Sequence, residues 1–115
     1  MALDVINFVD TIQTMDNFID KIRPPKEMRP QLDISYKIDK QSIILFEIRP
    51  NWRDAKLKME SGIAKATFVK SDKVWKIYWM RADLKWHLYK PKAVVGDLSV
   101  FLKIVEEDKH SCFWG

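Results

Sequence analysis

Cysteine, glycine and histidine are nearly missing from this chain, and each shortage closes off a class of fold or chemistry. A single cysteine, Cys112, cannot close an internal disulfide, so a bridge-stapled secreted scaffold is excluded and a reduced, cytoplasmic compartment is expected. Three glycines in 115 residues leave no Gly-rich phosphate loop, no Walker signature and no nucleophile elbow. The two histidines, His87 and His110, lie beyond metal-ligand spacing. His110-x-Cys112 offers two ligands where a closed zinc site needs four, so neither a metal nor another cofactor is expected. No apolar run reaches the ~18 residues of a membrane span, and Met1-Ala2-Leu3-Asp4 does not begin an export signal, so no membrane association is expected. Internal repeats and low-complexity tracts are absent as well.

What remains is a folded, globular profile, 47% hydrophobic and 31% charged, expected to form one domain over residues 1–115. Tryptophan is the outlier, with five copies in so short a chain. Rings of that size either fill a core or mark a contact surface. The net charge of +4 comes from interspersed signs. It permits a polyanionic partner without demanding one.

Apolar residues at Val5, Ile6, Phe8, Val9, Ile12, Met15, Ile19 and Ile22 recur in steps of three and four, which predicts a helix over residues 4–22. Arg23-Pro24-Pro25 ends it, because proline donates no amide hydrogen and disfavours helix in the residue before it. Leu32, Ile34, Tyr36 and Ile38 alternate with polar residues, the period of a strand with one wet face. Asp39-Lys40 turns the chain into a second strand, Ser42 to Arg49, which Pro50 closes. Residues 51–62 read as a loop. Further strands are expected from Ile63 to Lys70, Lys73 to Met80 and Leu84 to Lys90. Asp97 then caps a last helix with its stripe at Leu98, Phe101, Leu102 and Val105. The expected class is α+β: an N-terminal helix, a five-stranded antiparallel meander, and a C-terminal helix packed on one sheet face.

The stretch KVWKIYWMRADLKWHLYK, residues 73–90, poses the main functional question. An even-numbered loop through Ala82-Asp83 pairs Trp79 with Trp86 and Ile77 with Leu88, and puts Trp75 on the same side. That face reads as core. The other face then carries Lys76, Tyr78, Lys85, His87 and Tyr89, with Lys65 and Thr67 alongside. Such a basic and aromatic surface can stack on bases and pair with phosphates, although solvated strands carry the same residue types.

Glu47 and Arg49 follow an apolar run. A two-residue first turn puts Glu47 on the core side, where a carboxylate needs a cation or a raised pKa; a three-residue turn puts it on the wet side. Asp33 with Glu47-x-Arg49 resembles the carboxylate pair and cation of nucleases with a D…E-x-K signature. The last position departs from that pattern, since Arg cannot deprotonate to serve as a base.

Five stretches carry a closer resemblance: RPPKEMRPQLD at 23–33, FEIRPNW at 46–52, AKATFVK at 64–70, VWKIYWMRADLKWHLY at 74–89 and CFWG at 112–115. Together they resemble the small bacterial family catalogued as domain of unknown function 3024. The resemblance implies a bacterial, cytoplasmic, stand-alone domain and supplies no catalytic residue. The sequence departs from that pattern at Asp39-Lys40 and at Trp52-Arg53-Asp54-Ala55, both in expected loops.

The expected function is therefore a non-catalytic binding or interaction module. Lys65, Lys76, Tyr78, Lys85, His87 and Tyr89 are its contacts, Arg49, Arg23, Lys26 and Arg29 its basic rim, and nucleic acid or an acidic protein its partner. Self-association into a homodimer, through a sheet edge or the tail Cys112-Phe113-Trp114, is the first alternative. A metal-dependent nuclease-like enzyme around Asp33, Glu47 and Arg49 is the distant one.

Overall fold

Helix α1 (Val5–Ile22) turns Met15 and Phe18, with the half-buried Phe8, Ile19 and Ile22, toward the sheet. These positions repeat once per helical turn, so one stripe is dry and the rest is wet. Val9 falls off the stripe and is exposed, contrary to the expected pattern. The computed structural model describes residues 5–114; the expected helix start at Asp4 and the side chains of Val5 and Ile6 lie outside the described residues.

After a 3-10 turn at Lys26–Met28, the chain forms β1 (Asp33–Asp39), β2 (Ser42–Pro50), β3 (Lys58–Val69), β4 (Val74–Met80) and β5 (Trp86–Leu88), each antiparallel to the one before. The sheet has six strands among the described residues, one more than expected. Pro91 lies in a second 3-10 turn, Lys90–Lys92, that lifts the chain off the edge of β4. The chain then returns to the same edge as β6 (Val94–Val95), where Val95 sits opposite Trp75. Thus β5 and β6 are two halves of one edge, interrupted where proline cannot supply a ladder hydrogen bond. The expected loop at 51–62 is also shorter than its composition suggested. β3 begins at Lys58, which pairs with Pro50, so Lys58, Met59, Glu60, Ser61 and Gly62, which show no apolar alternation, join the sheet by main-chain pairing with β2.

Helix α2 (Leu98–Glu107) starts at Asp97, whose carboxylate accepts from the Ser99 amide at 2.9 Å, and buries Leu98, Phe101, Leu102 and Val105. Both helices lie on the same sheet face. Met15 and Phe18 of α1 and Phe101 and Val105 of α2 share one core with Ile43, Leu45, Ala64, Ala66, Trp75 and Ile77. Lys21 and Glu106 bridge the helices at 3.1 Å. The small Ala64 and Ala66 keep the centre of the sheet low where side chains from the helices must fit.

The C-terminal tail folds back on its own core. Asp108 caps α2 in the left-handed region (φ 43°) and its carboxylate accepts from the amides of Cys112, Phe113 and Trp114 at 2.8, 3.2 and 2.9 Å. Trp114 Nε1 donates to the Val105 carbonyl at 2.7 Å, and Phe113 packs beside Tyr89 with ring centroids 4.9 Å apart. Gly115 lies outside the described residues.

Candidate functional site

With both helices on one side, the other face of the sheet has no layer over it among the described residues. Strand alternation writes the central part of that open face as three rows across the sheet. The first runs Ser35, Phe46, Gly62, then past the bulged position to Met80 and Trp86. The second runs Lys37, Ile44, Lys65, Tyr78 and Leu88. The third runs Asp39, Ser42, Thr67, Lys76 and Val94.

The first row is packed although no helix covers it. Between Leu45 and Phe46 the register of β3 shifts by one, and Ile63 is the extra residue. Such a bulge increases local twist and re-aims the neighbouring side chains. Trp86 lies across β4 so closely over Gly62 that a Cβ built there would meet its ring at 2.8 Å. Phe46, opposite Gly62, is 93% covered without belonging to the main core.

Lysines lie over these rings. Lys65 Nζ is 5.4 Å from the centre of Tyr78 and 5.9 Å from that of Trp86, and Lys37 Nζ is 5.2 Å from that of Phe46. Cations over aromatic faces at this range are attracted by the ring quadrupole. Lys37 also pairs with Glu60 at 3.2 Å, whereas neither Lys65 nor Lys76 has an ion-pair partner among the described residues. Ser42 and Thr67 close a hydroxyl pair at 2.8 Å beside Lys76.

The structure brings Lys65, Lys76 and Tyr78 together as expected but places Lys85, His87 and Tyr89 elsewhere. The turn between β4 and β5 contains three residues, Ala82 to Leu84, closed by the Arg81 amide on the Lys85 carbonyl, with Leu84 at φ 62°. An odd loop shifts the pairing by one and exchanges the faces of β5. Tyr78 therefore opposes Leu88, and Met80 opposes Trp86. Trp86 and Leu88 pass to the open face; Tyr89, 2% exposed, joins the core, its amide bonded to the Ile77 carbonyl. Burial, and then the nearby Cys112 and Asp108, push the Tyr89 hydroxyl pKa up.

His87 opposes Trp79 on the helix-bearing side. Its Nε2 lies 2.7 Å from Asp83 Oδ2, a contact that the sequence reading did not anticipate. This contact holds the Asp83 carboxyl below its usual range, as does the Lys85 amide that Asp83 also accepts. Asp83 is thus both the turn-forming residue and the partner of His87 four positions on. An aspartate that can bond the amide two residues ahead was the available signal for this loop.

The nuclease-like trio is not assembled. Asp33 opposes Ile48 and Glu47 opposes Ile34, so the two carboxylates leave opposite faces of the sheet. The first turn has two residues, Lys40 and Gln41, with Lys40 at φ 56°, which sets Glu47 on the core side. Its cation is Arg49 at 3.0 Å. Asp33 is taken by both ends of the Arg23 guanidinium, at 2.8 and 2.7 Å, and this pairing holds its carboxyl below the usual range. Among the described residues no three His, Cys, Asp or Glu side chains group as metal ligands. No helix among them is long and apolar enough to cross a membrane.

An open groove of about 860 Å³ lies away from the open face, between α1, the β3–β4 turn and the start of α2. Asp10 and Asp97 face Lys70 and Lys73 there, so it has no dominant sign of charge.

The sequence profile of the family described as a domain of unknown function (DUF3024) matches residues 5–115. No curated protein and no solved structure matches the chain.

Proposed function

The chain belongs to the DUF3024 family, whose description assigns no activity, and on the evidence of the open sheet face we propose that it is a non-catalytic binding module for single-stranded nucleic acid. The supporting observation is the position of Lys65, whose ammonium lies between Tyr78 and Trp86 at 5.4 and 5.9 Å on a face that neither helix covers. Bases stack on aromatic faces with little regard to sequence, at roughly 1–3 kcal/mol each, and lysines beside the rings take the phosphates. Lys37 extends the positive track along the same row and Lys76 along the next one. An acidic protein would use the lysines but not the ring faces, so the combination favours a strand of bases.

The test is fluorescence anisotropy with labelled single-stranded and duplex oligonucleotides at low and moderate salt. Saturable binding that prefers the single strand and weakens as salt rises is expected. The Lys65→Ala, Lys76→Ala double variant should reduce the slope of log K against log salt by about 0.7 per lysine removed. Absence of binding at low salt, or equal binding by the double variant, would sink the proposal and direct the search to acidic protein partners.

A further inference from the structure

From Ala64 to Val69, β3 is paired on both sides, by β2 and by β4. From Lys58 to Ile63 it has only β2. The backbone shows which groups this leaves unsatisfied. The Asn51 amide donates to the Leu57 carbonyl at 2.8 Å, so that carbonyl faces β2 and the amide that follows it, of Lys58, faces away. The register runs unbroken from Pro50–Lys58 to Phe46–Gly62, and hydrogen-bonded pairs alternate along an antiparallel ladder. The amides and carbonyls of Lys58, Glu60 and Gly62 therefore point outward, along an edge on which no strand lies among the described residues. Residues 58–61 are all exposed. Beside this edge, Leu57 and Met59 leave 58% and 52% of their surface uncovered, and alternation puts both on one face. An open edge flanked by apolar side chains is what folded proteins ordinarily cover, bend away or load with charge.

We propose that this edge pairs with the same edge of a second copy, giving an isologous dimer with one continuous sheet. Charge selects the register. Centring the two-fold axis on Met59 places Lys58 opposite Glu60 of the second copy, and Glu60 opposite its Lys58, so opposite charges face each other twice. Centring it on Glu60 sets two carboxylates against each other, which is unfavourable. In the favoured register the outward groups of Lys58 and Glu60 satisfy those of the second copy, and Met59 meets Met59 on the face that also carries Leu57. Glu60 and Lys37, paired at 3.2 Å, are each about half exposed. That contact is a weak, solvent-screened one that Glu60 can share. The dimer accounts for the length of β3, which runs six residues past the end of its pairing with β4.

The test is sedimentation velocity over a concentration series of the full chain, combined with oxidative cross-linking. The parent should shift from monomer to dimer as concentration rises. Glu60→Pro removes an outward amide that the monomer does not use, so it should stay folded by circular dichroism and Trp fluorescence yet remain monomeric. Glu60→Lys should weaken the dimer, and combining it with Lys58→Glu should restore it. In a Cys112→Ser background, Met59→Cys should cross-link on mild oxidation, because opposed residues bring their Cα atoms within disulfide range. Ser61→Cys in the same background should not, since Ser61 opposes Leu57 of the second copy. A monomer mass at every concentration overturns the proposal. So does a dimer that survives Glu60→Pro or leaves Met59→Cys unlinked. Oligonucleotide binding by Glu60→Pro reads the open face separately.

Discussion

Gly62 and Trp86 show how much one position can decide. Glycine in a strand costs stability, yet here it receives an indole from two strands away. A methyl group at Gly62 would stand 2.8 and 2.9 Å from Trp86 and 3.1 Å from the end of Met80. The contacts are with the rim of a ring and the tip of a flexible chain, which can swing aside. Gly62→Ala is therefore expected to lower stability by about 1 kcal/mol, the mild end of overpacking. Denaturant titration checks the stability, and a changed Trp emission in the native state reports the displaced ring. Trp86 could be read from the sequence as a residue to bury. Its place on the open face could not, because that depends on a turn rather than on its own chemistry.

At the scale of the element, the β4–β5 hairpin is governed by Leu84. It is 80% exposed and held at φ 62°, a left-handed conformation that costs an L-residue with a side chain roughly 1–2 kcal/mol. Glycine removes that strain and returns about 0.5–1 kcal/mol through greater freedom in the unfolded chain. Leu84→Gly should therefore stabilise the protein by roughly 0.5–1 kcal/mol, seen as a higher denaturation midpoint at unchanged m-value. Leu84 is the third residue of the loop, and this odd count is what sets Trp86 opposite Met80 on the open face. The bulge at Ile63 works in the same way on β3: it keeps Ile63 in the core while turning Gly62 outward opposite Phe46.

Over the whole molecule, two polar ties fasten α1 to the edge strand β1, and they titrate at opposite ends of the pH scale. Arg23 holds the Asp33 carboxyl below its ordinary value of 3.8. Stability from this tie is present above that value and is lost as pH falls through the lower, folded one. Tyr36 donates to Asp16 at 2.7 Å, and burial, followed by that bond, pushes its hydroxyl up from 10.0 to about 12. Its contribution is present below pH 10 and disappears as pH rises through about 12, because the unfolded tyrosine ionises first. Stability measured against pH should therefore fall at both extremes. Arg23→Ala should flatten the acid limb and Tyr36→Phe the alkaline one.

The sequence by itself determined the element order from α1 to β5, the caps at Asp97 and Pro24, and the core role of Trp75 and Ile77. Those follow from local periodicity and local backbone chemistry, which need no distant partner to be legible. It also supplied Lys65, Lys76 and Tyr78, since they alternate on strands whose registers are fixed by clean hydrophobic patterns. Tertiary structure alone decided which face Trp86, His87 and Tyr89 occupy, because one residue more or less in a loop inverts an entire strand. It alone extended β3 through Lys58–Gly62, where pairing comes from main-chain bonds to β2 and side-chain pattern gives no sign. It separated Asp33 from Glu47, which sequence spacing could not do, since their relation rests on a cross-strand register.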